Sequence, residues 1–160
     1  MSEDNSSPAV KRYLADKQKA KAEGEEFKVN IEKWTKLRDD EFLEIARFLF
    51  TWRNQLKNQG DTSVFLDDRN LSEGEFSVKV QGNWLCKVKY GELKGNPTIV
   101  LSCGGVRSIH AIAMEGTDDH PFHWLEAKNG SVEEHGRNFG DSEKLAEIIM
   151  RETVENKLFT

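Results

Sequence analysis

From Glu75 to Leu93 the chain alternates apolar and polar residues in two runs, with a Gly-Asn pair between them. Phe76, Val78 and Val80 share one side of the first run, and Trp84, Cys86, Val88 and Tyr90 share one side of the second. A period of two belongs to a half-buried strand, whose successive side chains point to opposite faces. Gly82-Asn83 suits a tight turn that needs positive φ, so the stretch predicts a β-hairpin.

The same texture continues downstream. "PTIVLSCGG" reads as a third strand and "VRSIHAIAMEG" as a fourth, with Ile109, Ala111 and Ala113 alternating against Ser108, His110 and Ile112. "PFHWLEAKNG" reads as a fifth, ending in an Asn129-Gly130 turn, and "SVEEHGR" is either a sixth strand or a loop. Short connections between successive strands imply an antiparallel meander.

Helical spacing brackets this region. Phe42, Ile45, Ala46, Leu49, Phe50 and Leu56 recur at helical intervals behind Asp39 and Asp40, either of which can cap the helix, and Gly60 ends it. Leu43, Phe48 and Trp52 widen the apolar stripe beyond one face, while Ile31, Trp34 and Leu37 extend it upstream. "GDSEKLAEIIMRETVENKLF" forms the last helix, capped by Asp141 or Ser142, with Leu145, Ile148 and Ile149 on one face. The fold class is α+β: a two-layer domain with N-terminal helices, a meander of five or six strands and a C-terminal helix.

Residues 1–25 read differently. Ser7 can cap and Pro8 can take the first helical position, and Gly24 is a natural stop. Only Val10, Tyr13 and Leu14 are apolar on this stretch, too thin a stripe to bury firmly. It is expected to be a polar, basic arm, frayed or mobile, ahead of a single domain at 26–160.

The length of 160 residues suits one core, and four Trp and nine Phe supply large apolar side chains for it. The net charge of -5 is unevenly spread. Lys11–Arg38 holds nine Lys/Arg against five Asp/Glu, whereas Glu115–Glu155 holds eleven Asp/Glu against four Lys/Arg. "MSEDNSSPAV" has neither the basic nor the apolar segment of a secretory leader, and no apolar run approaches the roughly 20 residues that span a bilayer. With only Cys86 and Cys103 a disulfide framework is not expected, so the expected compartment is the cytoplasm.

The densest cluster of chemistry-bearing residues is "DDHPFH". Asp118, His120 and His123, joined by His110 one strand back, offer oxygen and nitrogen ligands for a metal. The competing reading is a polar hairpin turn, since no established ligand spacing is present. His135 has acidic neighbours that favour its protonated form. Cys103 precedes Gly104-Gly105, with Arg107 and His110 near enough to activate a thiolate, although a cysteine ending an apolar strand more often packs as a small hydrophobe. Cys86, between Trp84 and Val88, is expected in the core. Asp67, Asp68, Arg69 and Glu73 read as a solvated loop, and no glycine pattern marks a nucleotide cradle or any other cofactor site.

For binding, Trp34, Phe48, Trp52 and Trp124 are candidate aromatic anchors. Lys11, Arg12, Lys17, Lys19 and Lys21 are candidate contacts to an acidic partner or to nucleic acid, where Trp84, Tyr90 or Trp124 on the sheet would stack bases. Together these features point to a non-enzymatic module that binds a protein partner, including a second copy of itself, with no cofactor and no membrane contact. Two alternatives belong to other classes: a metal-assisted hydrolase using His110–His123, and a weak nucleic-acid binder led by the basic arm.

Overall fold

The computed structural model describes residues 7–81, 85–103, 107–117 and 120–155; of these, 24–29, 103, 107, 117, 120, 121, 152, 154 and 155 are described by backbone alone. The expected turn at Gly82-Asn83, Trp84, the Gly104-Gly105 pair and Asp118-Asp119 lie outside the described residues.

The chain begins with helix α1 (Pro8–Asn58). Ser7 starts it as expected, its side chain accepting the backbone N–H of Val10 at 3.3 Å. The expected stop at Gly24 is not observed: helical backbone runs through it and takes in both predicted N-terminal helical stretches. One glycine inside a helix costs only about 1 kcal/mol, and the Lys, Ala and Glu residues around it favour helix. Gly60 does end the helix. It adopts φ 91°, its N–H donates to Lys57 O at 3.0 Å, and Asp61 N–H donates to Leu56 O at 2.9 Å. These paired bonds satisfy carbonyls that the last turn would leave open.

By compactness the chain divides into two units, Met1–Lys33 and Trp34–Thr160. In the first, every described side chain from Ser7 to Glu23 is exposed, including Tyr13 at 63%.

The second unit holds the sheet. Its strands are β1 (Val64–Asp67), β2 (Glu75–Val80), β3 (Leu85–Leu93), β4 (Asn96–Cys103), β5 (Arg107–Thr117), β6 (His120–Lys128) and β7 (Ser131–Gly140). They pair antiparallel in chain order, so the predicted meander is correct, with seven strands instead of five or six. "SVEEHGR" belongs to β7, and β1 is a strand that the alternation did not announce. Four residues are too few for a periodic signal; β1 is recognised only by its pairing with β2, Val64 opposite Val80 and Leu66 opposite Val78. The Asn129-Gly130 turn is present, with φ 56° and 68°. Helix α2 (Ser142–Glu155) closes the fold, capped by Asp141, whose carboxylate accepts Lys144 N–H at 2.9 Å.

Both helices of this unit pack on one sheet face, which carries Phe76, Val78, Cys86, Val88, Leu101 and Trp124. From residues 34–58 of α1, Phe42 wedges between Phe76 and Tyr90, with ring centroids 5.1 and 4.8 Å away. Arg38 lies 4.4 Å over the Tyr90 ring and donates from Nη1 to Gly91 O at 2.9 Å. A guanidinium bound to a backbone carbonyl and stacked on a ring holds α1 to β3 by direction as well as by area.

Candidate functional site

Pairing across the sheet decides which sequence-predicted ligands meet. His110 on β5 stands opposite Val100, whereas His123 on β6 stands opposite Met114. Four residues of β5 therefore separate the two imidazole rows, roughly 13 Å at the rise of a strand. Ligands of one zinc ion each lie about 2 Å from it, so His110 and His123 do not serve a common metal. The backbone of His120 pairs with Thr117, but its side chain, like all of Asp118, lies outside the described atoms. Among the described residues, no group of three His, Cys, Asp or Glu side chains is placed to hold a metal. Closeness in sequence suggested the set, and strand register sets two of its members, His110 and His123, four residues of β5 apart.

His123 instead lines a shallow cavity of about 380 Å³ with Glu115, Asp141 and Lys144. The Asp141 carboxylate there is already engaged as the cap of α2. His135 is exposed and bonds through Nε2 to Val132 O at 2.9 Å. The Asp67 carboxyl has its pKa held down to about 2 by the guanidinium of Arg69, from which it accepts hydrogen bonds at 2.9 and 2.7 Å, so this pair is already engaged at the end of β1. Cys86 is fully buried, and the side chain of Cys103 is outside the description.

The aromatic candidates also separate. Trp124 is 0% exposed, so it is a core residue and cannot act as a surface anchor or a stacking platform. Tyr90 sits on the helix-covered face beneath Arg38, which equally removes it from base stacking. Trp34 is half-buried against the core. Trp52, half-buried and 5.8 Å from the Phe48 ring, retains an open side. Lys11, Arg12, Lys17, Lys19 and Lys21 are all exposed on α1.

That open side of Trp52 faces a cleft of about 550 Å³ between the C-terminal part of α1 and α2. Trp52 and Leu56 from α1 and Met150 from α2 make its floor, and Gln55, Gln59, Glu147 and Arg151 its rim. Sequence reasoning named Trp52 but missed Leu56 and Met150 as half-buried residues that line a cleft. Both fall in the apolar stripes of their helices, where they pack against the core and also line the cleft.

A second pairing was also missed. Thr98 on β4 is 0% exposed, and its hydroxyl lies 2.8 Å from Nδ1 of His110. A buried hydroxyl must place its proton on an acceptor, and Nδ1 is the side-chain acceptor in reach. In the tautomer whose Nδ1 accepts from this hydroxyl, the imidazole carries its proton on Nε2, pointing away from Thr98. Burial, and then the charge of Lys89, hold the His110 pKa below the ordinary histidine value. No described helix is long and apolar enough to cross a membrane. Comparison of the chain with protein-family models, with curated proteins and with solved structures finds no match.

Proposed function

We propose that this chain is a cytoplasmic, non-enzymatic binding module that receives an apolar side-chain row of a protein partner in the cleft between α1 and α2. The observation that carries this reading is the cleft itself: an apolar floor of Trp52, Leu56 and Met150 inside a rim of Gln55, Gln59, Glu147 and Arg151. An apolar centre with a polar rim is the anatomy of a protein contact, with tryptophan among the commonest anchors. Two helices with a groove between them suit a third helix, docked through residues spaced i, i+3 and i+4. The cleft would be the anchor of a larger contact, since a stable interface buries about 1,200 Å² or more.

The test is site-specific photo-crosslinking in cells. A photoreactive side chain at Gln55 is expected to give a defined adduct that disappears when Met150→Glu is added. Adducts no stronger than those from the remote exposed position Glu133, or adducts unaffected by Met150→Glu, would remove the cleft from consideration.

A further inference from the structure

The sheet is open, with β1 at one edge and β7 at the other. An edge strand presents backbone N–H and C=O groups that no neighbouring strand takes up, and proteins blunt such edges with charges, bulges or a cover. β7 is blunted: Glu133, Glu134 and Arg137 lie along it, and its register on β6 shifts at three places. β1 differs. Val64, Phe65 and Leu66 carry no charge, and while Val64 and Leu66 are buried towards the helices, Phe65 is 61% exposed on the open face of the sheet.

The ladder fixes which backbone groups of β1 face outward. Gln81 N–H donates to Ser63 O at 2.9 Å, which makes Ser63 and Gln81 a hydrogen-bonded pair. Across β2, Tyr90 N–H donates to Gly74 O at 2.8 Å, so residues 74, 76, 78 and 80 bond towards β3 and residues 77 and 79 towards β1. Bonded and non-bonded pairs alternate in an antiparallel ladder. Phe65 and Asp67 therefore bond to β2, whereas Val64 and Leu66 turn N–H and C=O outward. Among the described residues no partner takes up these groups.

β1 of a second copy complements this edge. Laid antiparallel about a two-fold axis at Phe65, it sets Val64 of each copy opposite Leu66 of the other, and every outward N–H and C=O of the two strands is bonded. Phe65 then faces Phe65 of the second copy in a non-bonded pair, where opposed Cα atoms are about 4.5 Å apart and side chains approach closest. Asp67, the only charge on β1, falls opposite Ser63, so no like charges meet. We propose that β1 pairs with β1 of a second copy in this register, joining two sheets into one and covering Phe65 with its equivalent. The contact buries less than the roughly 1,200 Å² of a stable interface, so the dimer is weak and concentration-dependent.

Sedimentation equilibrium of the full chain tests it. The expected result is a monomer–dimer equilibrium with Kd on the order of 10–100 μM. Phe65→Lys, at an exposed position, should raise that Kd about tenfold or more while leaving the melting temperature at low concentration unchanged. Phe65→Cys reads the register: with oxidised glutathione it should give a disulfide-linked dimer absent from the wild type, because Cα atoms of a non-bonded pair lie within disulfide reach. Glu133→Cys, on the blunted edge, should not. Met150→Glu, which alters the cleft between α1 and α2, should dimerise as the wild type does. A protein that stays monomeric up to about 1 mM would overturn the pairing. So would a Phe65→Lys dimer as tight as the wild type, Phe65→Cys crosslinking no faster than Glu133→Cys, or a dimer abolished by Met150→Glu.

Discussion

The indole N–H of Trp124 donates to Ser142 Oγ at 3.0 Å, which ties β6 to the start of α2 inside the core. Through one buried hydroxyl, β6 and α2 are joined by direction. Trp124 fills the core with its ring and needs an acceptor for its one polar atom. Ser142, 4% exposed at the start of α2, supplies it.

Ser142→Ala should cost about 1–3 kcal/mol, because it leaves the buried indole N–H without an acceptor. Trp124→Phe in the Ser142→Ala background should then add less than it does alone, since the unpaired donor is gone. Chemical denaturation of the four proteins measures this coupling. Strict additivity would show that the hydrogen bond does not contribute.

Glu41 makes stability depend on pH in an unusual direction. Its pKa is raised, first by burial, against the lowering influence of the nearby Ser142 hydroxyl, and further by the nearby charges of Glu44, Asp40 and Asp141. The folded chain therefore binds this proton more tightly than the unfolded chain does, so stability falls as pH rises from the ordinary glutamate value through the raised one. Glu41→Gln should be more stable than wild type at pH 7, and the difference should vanish at pH 4. Melting temperatures at both pH values check it; a variant that is less stable at pH 7 would contradict it.

Gly91 is needed for close packing on the open face. A Cβ at this position would meet Val100 Cγ2 and lie 2.9 Å from Thr98 Oγ1. Both neighbours are buried, so neither yields freely. Gly91→Ala should destabilise by about 1–3 kcal/mol through overpacking and displace Thr98 from His110. Thermal denaturation together with the His110 ring shifts reports both effects.

Gly60→Ala tests the end of α1. At φ 91° no neighbour lies within 4 Å of an added Cβ, so the cost is conformational alone. About 1 kcal/mol is expected, and Gly60→Asn should recover part of it, because asparagine tolerates the left-handed region better than alanine. Equal stability of all three would show that the helix ends without help from the cap.

Much of the architecture was legible locally. The alternation of Phe76, Val78 and Val80 with Cys86, Val88 and Tyr90 specifies β2 and β3, and their register pairs Phe76 with Val88 and Val78 with Cys86. Ser7, Asp141, Asn129-Gly130 and Gly60 mark ends and turns by chemistry that acts within four residues. Such signals survive in sequence because they need no distant partner. The stop at Gly24 failed for the same reason turned around: one local breaker was outweighed by the helix formers around it.

What only the tertiary structure decided is which side chains meet and which remain open. Alternation puts Trp124 and His123 on opposite faces without saying which face the helices cover, and that choice buries Trp124. His110 and His123 are close in any linear reading, yet register sets them about 13 Å apart and gives His110 to Thr98. Leu56 and Met150 read as core in their helical stripes, yet each is only half-buried and lines a cleft between α1 and α2. A period records where a side chain points relative to its own backbone; burial, pairing and exposure are set by elements tens of residues away, through packing that no local pattern contains.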